Sequence, residues 1–339
     1  PWARSGNSWC VVIYRWSVRA LVALAVVAFF LPSVRLIHRG VFLPDGGAYT
    51  EVCWQRKGFM SQTPLPIAAV VVLITFGLKS HEELLDETFA VLQGVSRERK
   101  FQDWHRRQAR WDQAVFACIW LCIMVATGVC NYLHCEGEGS SEAALQVLHL
   151  CLVAVFSAVI LGVAYSMAFV CRSLSIMIDV FCCDVVGHNM QLRDVSHIWN
   201  LTQAVLRKAS NSVEHGFLAF CFILACTVPL LVVDGGALGS SSAPPPALLP
   251  GIMLTCGVLH VLLLGAMVSE KCTRVPSLIN AISFGDGTER ARQHTVDYIS
   301  SSAAGFYIFG VRLTTSMVVK LMYVWCIVAV GLLTRMGPT

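Results

Sequence analysis

Seven apolar stretches, at about residues 20–38, 61–79, 113–133, 144–171, 215–233, 247–269 and 302–334, carry almost no Asp, Glu, Lys or Arg. A helix needs about 20 apolar residues to cross roughly 30 Å of hydrocarbon, so each stretch has about the length of a membrane span. That decides the class. Of the 339 residues, 56% are hydrophobic and only 14% charged, whereas soluble domains carry about a quarter charged. Mean hydropathy is +0.65. Soluble, disordered, collagenous and coiled-coil folds are excluded, and so few charges leave no case for nucleic-acid binding. The expectation is an all-α membrane protein, multi-pass in the cell membrane, with seven transmembrane helices and the lipid bilayer as its surroundings. The first run, Leu21 to Ile37, is followed by His38 and Arg39 without a small-x-small cleavage pattern, so it reads as a span and not a signal peptide.

Orientation follows from the basic residues between spans. Counting Lys79 at the edge of the second stretch, eighteen Lys and Arg residues fall in the N-terminal segment and in the second, fourth and sixth connections. Four (Arg39, Arg56, Lys57 and Arg335) fall in the other set. The excess predicts a cytoplasmic N-terminus and an extracellular C-terminus, the reverse of a G-protein-coupled receptor. Neither an Asp-Arg-Tyr nor an Asn-Pro-x-x-Tyr element occurs. The sequon Asn200-Leu201-Thr202 lies on the predicted cytoplasmic side and is expected to stay unglycosylated.

The outer connections Cys135–Ser141 and Gly235–Pro246 are rich in helix breakers and predict solvated turns. Cys53 and Cys135 fall on the same outer side, which allows a disulfide without showing that the thiols meet. The cytoplasmic connections are longer. His81–Trp111 runs from acidic to basic and keeps Leu85, Phe89 and Leu92 on one face, which predicts a helix. Trp104 and Trp111, beside Arg107 and Arg110, read as an interfacial anchor. The apolar pattern continues from Arg172 to Glu214, so the fourth and fifth spans are expected to project as long helices into the cytoplasm. Pro276 and the Gly285-Asp286-Gly287 turn are expected to interrupt the sixth connection before a helix from about Glu289. Three regions result: a six-helix bundle with its cytoplasmic helices and a ligand pocket (1–270), a cytoplasmic anchor (271–317) and a last transmembrane helix (318–339).

The terminal segment, at more than thirty residues, exceeds one crossing. A break near Arg312–Ser316 would leave a first half among the cytoplasmic helices. Residues 318–335, at 1.5 Å per residue, give about 27 Å, enough to cross. Here the chain resembles the insect gustatory and odorant receptor superfamily. The local match is Ala303-x-Gly305-Phe306-Tyr307-x-Phe309-x-Val311, followed by Leu313 and Met317. The family closes with Thr-Tyr, five apolar residues and Gln-Phe. Here Tyr323 is kept, Met322 replaces the Thr, and Ala329-Val330 replace Gln-Phe. The resemblance implies a homotetrameric ligand-gated cation channel, gustatory-receptor-like, with four copies of the last half-helix lining the pore. Lys320, Tyr323, Val324, Ile327, Ala329 and Val330 would then be its pore or gate residues, and a small ligand would bind among the outer halves of the first six helices.

Lys320 has two readings: a ring of four lysines opposing cations at the pore mouth, or an interfacial lysine snorkelling from the start of the helix. A retinal-lysine reading lacks a carboxylate on the third span. His149 and His260 lie at membrane depth, near Trp120, Phe156 and the Phe29-Phe30 pair. These are the pocket candidates, because ligand sites are apolar with a few convergent polar groups. Interhelical hydrogen bonding and core packing are the plainer roles for the same residues. Cys182, Cys183, Asp184, His188 and His197 match no zinc spacing, and no nucleophile elbow occurs. The chain is therefore not expected to be an enzyme or to hold a metal or cofactor. The competing class is a non-conducting scaffold or transporter of the same fold.

Overall fold

The computed structural model describes residues 69, 99–134, 140–187, 192–240, 248–282 and 289–335. The expected spans at 20–38 and 61–79 (save Ala69), the helix expected over 81–98, and residues Phe29, Phe30, Cys53, Cys135, His188 and Gly285–Gly287 lie outside these. The elements are α1 (Arg99–His134), α2 (Ser140–Gly187), α3 (Leu192–Ser240), α4 (Leu249–Ala281), α5 (Glu289–Ser301), β1 (Tyr307–Ile308), β2 (Val311–Arg312) and α6 (Thr315–Arg335). Five of them, all but α5 among the helices, are long and apolar enough to cross a membrane. They coincide with the third to seventh stretches read from the sequence, so the chain is a multi-pass membrane protein.

At 48 and 49 residues, α2 and α3 are each about 72 Å long, more than twice the hydrocarbon thickness. Half of each therefore projects beyond the apolar layer. Both extensions meet α4, and that of α3 also meets α5. Trp199 is fully buried there, its ring 5.3 Å from that of Phe181, and the Tyr298 hydroxyl donates to Asn200 Oδ1. α4 occupies the centre, packing on α1, α2, α3, α5 and α6. Its start is set by Pro250, whose fixed φ and missing N–H suit a first turn.

Three expectations are corrected. Pro276 does not interrupt the chain: α4 runs through it to Ala281. Proline removes one backbone bond, but Cys272, Val275 and Ile279 are buried on both sides of it and hold the helix by packing. Likewise α3 continues through Gly235 and Gly236 to Ser240, because extending a nucleated helix is far easier than starting one. Finally, residues 303–312 are not the first half of a helix. They form a two-stranded antiparallel hairpin, and α6 begins only at Thr315.

Candidate functional site

The hairpin is built on a two-residue turn. Ile308 pairs with Val311 and Tyr307 with Arg312, leaving Phe309 (φ 49°) and Gly310 (φ 77°) at the tip. Positive φ at both central positions is the signature of the type I′ turn, whose twist matches that of the flanking strands. Glycine takes this conformation freely; Phe309 does so at a steric cost. Its ring is repaid by an edge contact with His215 (centroids 5.3 Å apart), and its N–H donates to Glu214 Oε2 at 3.4 Å.

The base of the hairpin is gripped from two helices. On α4, the Ser269 hydroxyl accepts from the Phe306 N–H at 3.0 Å and lies 3.4 Å from the Phe306 carbonyl. The Ser269 carbonyl accepts from Arg312 Nη2 at 3.1 Å. The Phe306 carbonyl also accepts from the Leu313 N–H at 2.9 Å. On α3, Ser210 Oγ accepts from the Tyr307 N–H at 3.2 Å. Trp199 Nε1 donates to Ser302 Oγ at 3.0 Å, and Gln203 Nε2 to the Ser302 carbonyl at 2.6 Å. The Phe306 ring is fully buried, 5.1 Å from Phe217. Both Phe217 and Leu313 close on Gly265, where an added Cβ would sit 3.0 Å from Leu313 and 3.1 Å from Phe217. Glycine thus lets the hairpin lie against α4. The motif residues Phe306, Tyr307 and Phe309 are accordingly those that seat the hairpin, and a Cβ at Gly305 would sit 2.6 Å from Arg312 Nε.

Thr314 then caps α6. Its carbonyl receives the Met317 and Val318 N–H groups at 3.0 and 3.2 Å, and its hydroxyl accepts from Met317 N–H at 3.4 Å. Among the described side chains of α6, Val318 alone is buried. Leu321, Trp325, Val328 and Leu332 continue that narrow stripe at three- and four-residue spacing, half-buried. Apart from Ser316 and Lys320, the remaining surface is mostly apolar and open. Of the sequence-predicted pore residues, Lys320, Tyr323, Val324, Ile327 and Val330 are exposed on the chain, Tyr323 to 66%, and Ala329 is half-buried.

The predicted pocket residues fall along the seam of α1, α2 and α4. Trp120 Nε1 donates to the Ala154 carbonyl at 3.2 Å, two residues from the buried Phe156. His260 packs edge-on against Phe116, one turn before Trp120, at 6.5 Å. The His149 side chain lies outside the described residues, as do Phe29 and Phe30. Below His260, sequence reasoning missed an ion pair: Arg172 Nε meets Asp112 Oδ2 at 2.5 Å, the carboxylate side chain only 6% exposed. The available signal was one lone charge at the end of each of two consecutive, hence antiparallel, spans. Ser269 gave no such signal. Of the cysteine and histidine group near the end of α2, the structure places Cys182 half-buried and Cys183 and His197 exposed.

No protein-family model matches the chain, and no curated protein does. Solved structures do. The insect olfactory receptor OR5 from Machilis hrabei superposes with a TM-score of 0.64 at 12% identity, over 98% of this chain and 92% of that one. The same receptor in complex with eugenol superposes at 0.60, again at 12% identity, over 99% and 93%. The chain has the fold of this olfactory receptor.

Proposed function

We propose that this chain is one subunit of a homotetrameric, ligand-gated cation channel in the cell membrane, with its N-terminus in the cytoplasm, seven spans and its C-terminus outside. The observation that carries the reading is α6. It is a membrane-length helix of which one narrow stripe is covered by its own chain: 6% of its span is buried, against 28–56% in the other described membrane-length helices. Four such helices around an axis cover one another's open faces and enclose a conduit. In that arrangement Tyr323, Val324, Ile327, Ala329 and Val330 line the conduit or its walls, and Lys320 stands at the cytoplasmic mouth. A small organic ligand, of the kind eugenol represents for the neighbouring receptor, occupies the seam near Trp120, Phe156 and His260. The Ser269 grip then connects that seam to the base of α6. Nothing in this reading is enzymatic.

A second reading rests on Lys320. A ring of four ammonium groups opposes cation entry, and a chain so equipped serves as a non-conducting scaffold or transporter of the same fold. Two experiments decide. Particle imaging in nanodiscs counts subunits: four with α6 innermost supports the channel, and a monomer overturns it. Recordings from cells expressing wild type and Lys320→Ala, with eugenol as one probe of a volatile panel, test conduction. Current in either form supports the channel. Silence in both moves the assignment to the scaffold.

A further inference from the structure

The basic end of α1 has no role in the channel reading, yet its chemistry is specific. Residues 99–111 hold Arg99, Lys100, Arg106, Arg107 and Arg110 against one acid, Asp103. α1 is a single unbroken helix from this segment into its span, so the orientation of these positions about the axis is fixed by the span itself. Arg107 and Arg110 are exposed, and neither makes an ion pair with any described residue. Their spacing of three places them side by side, where like charges repel. Asp112, the next acid, points the opposite way and is already paired with Arg172 inside the bundle.

The same face continues upward as an apolar stripe. Trp111, 70% exposed, is followed at seven-residue intervals by exposed Cys118, Val125 and Tyr132. Seven residues are nearly two turns, so these four project on one side, above Arg107. A stripe with an indole at its foot and cations just below it matches the order of a leaflet: acyl chains, interface, headgroups. Clusters of four to eight basic residues immediately beside a membrane helix are the signature of anionic lipid recognition.

We propose that the foot of α1, formed by Arg107, Arg110 and Trp111, is a binding site for anionic phospholipid headgroups in the leaflet at that end of the bundle. The guanidinium groups engage the headgroup phosphate and carboxylate, and the Trp111 ring packs on the glycerol region. The site rests on α1 being a membrane span; under the orientation proposed above, the leaflet is the cytoplasmic one.

The test uses the full-length protein in nanodiscs of equal parts phosphatidylcholine and phosphatidylserine, released gently and weighed by native mass spectrometry. Wild type is expected to retain phosphatidylserine over phosphatidylcholine at low salt and to lose that preference at high salt. In Arg107→Gln/Arg110→Gln the preference falls by about tenfold or more, since each basic residue near an anionic surface contributes about fivefold. Arg107→Lys/Arg110→Lys keeps most of it, and Arg274→Gln/Arg290→Gln, also exposed at this end, leaves it unchanged. Absence of a preference in wild type overturns the site. So does an equal loss in the Arg274/Arg290 variant, which would mark general surface charge. If the glutamine variant fails to fold, the wild-type salt series and the lysine variant still decide. The readout needs no current: tetramers without serine-lipid preference sink this site alone, and the preference without tetramers sinks the channel alone.

Discussion

Replacing Ser269 with alanine removes both bonds its hydroxyl makes to Phe306, and the loss at the N–H has a calculable cost. Ser269 is 1% exposed and Phe306 fully buried, so water cannot take over when the hydroxyl goes. The Phe306 carbonyl keeps its bond from Leu313 N–H, but the Phe306 N–H loses its partner. A buried, unsatisfied donor costs about 1–3 kcal/mol. Taking about 2 kcal/mol, the local opening equilibrium of the hairpin rises about 30-fold. Hydrogen–deuterium exchange by mass spectrometry, on the peptide covering residues 303–313, reads this directly. Arg312→Gln attacks the same attachment from the other side: it loses the charge-assisted 3.1 Å bond to the Ser269 carbonyl and should cost about 1.5–3 kcal/mol. Both variants should therefore accelerate exchange of this peptide, while uptake in α1 stays at the wild-type level. Unchanged uptake in either variant, or faster uptake in α1 as well, refutes the account of how the hairpin is held.

Asp112→Asn leaves Arg172 without its counter-ion and should lower thermal stability in detergent by about 3 kcal/mol, the low end for a broken buried pair because the Arg172 side chain keeps 26% exposure; Asp112→Asn/Arg172→Gln should recover part of the loss, and additive losses would deny the pairing. Gly310→Val puts a β-branched residue at φ 77° and should destabilise the hairpin by about 1–2 kcal/mol, seen as faster exchange of the same 303–313 peptide. Asn200 accepts from Tyr298 within the α3–α5 packing, so digestion with an N-glycosidase should leave the mobility of the expressed protein unchanged; a shift would place that end of the bundle in the secretory lumen and reverse the orientation.

The membrane-length helices were legible because a run without charges is a statement about solvent, and one chain segment suffices to make it. The long projections of α2 and α3 were legible for a related reason: the apolar periodicity of Leu174, Met177, Ile178 and Phe181 continues past the point where a single crossing ends. The hairpin was not. Residues 303–311 have a composition that a helix accepts, and the choice of conformation lies with partners far along the chain. Trp199 and Ser302 are 103 residues apart, and Ser269 and Phe306 are 37 apart. Pro276 misled for the converse reason: a local breaker was overruled by burial of its neighbours. At the candidate site, the apolar positions on α6 could be read from sequence, and so could the oddity of Lys320. The grip by Ser269, Ser210 and Gln203 could not, since a small polar residue in a span looks the same whether it bonds its own helix or a distant strand.

α3 is one uninterrupted rod that contacts the hairpin through Trp199, Gln203, Ser210 and Glu214 and continues through Phe217 and Phe220 into the apolar layer. Such a rod behaves as a mechanical arm. With its far end about 40 Å from Glu214 and about 60 Å from Trp199, a tilt of about 3° displaces one end by roughly 2–3 Å against the other. That is several times the slack of about 0.5 Å that a hydrogen bond tolerates, so rearrangements too small to alter the shape of the outer half would still suffice to make or break the attachments beneath α6.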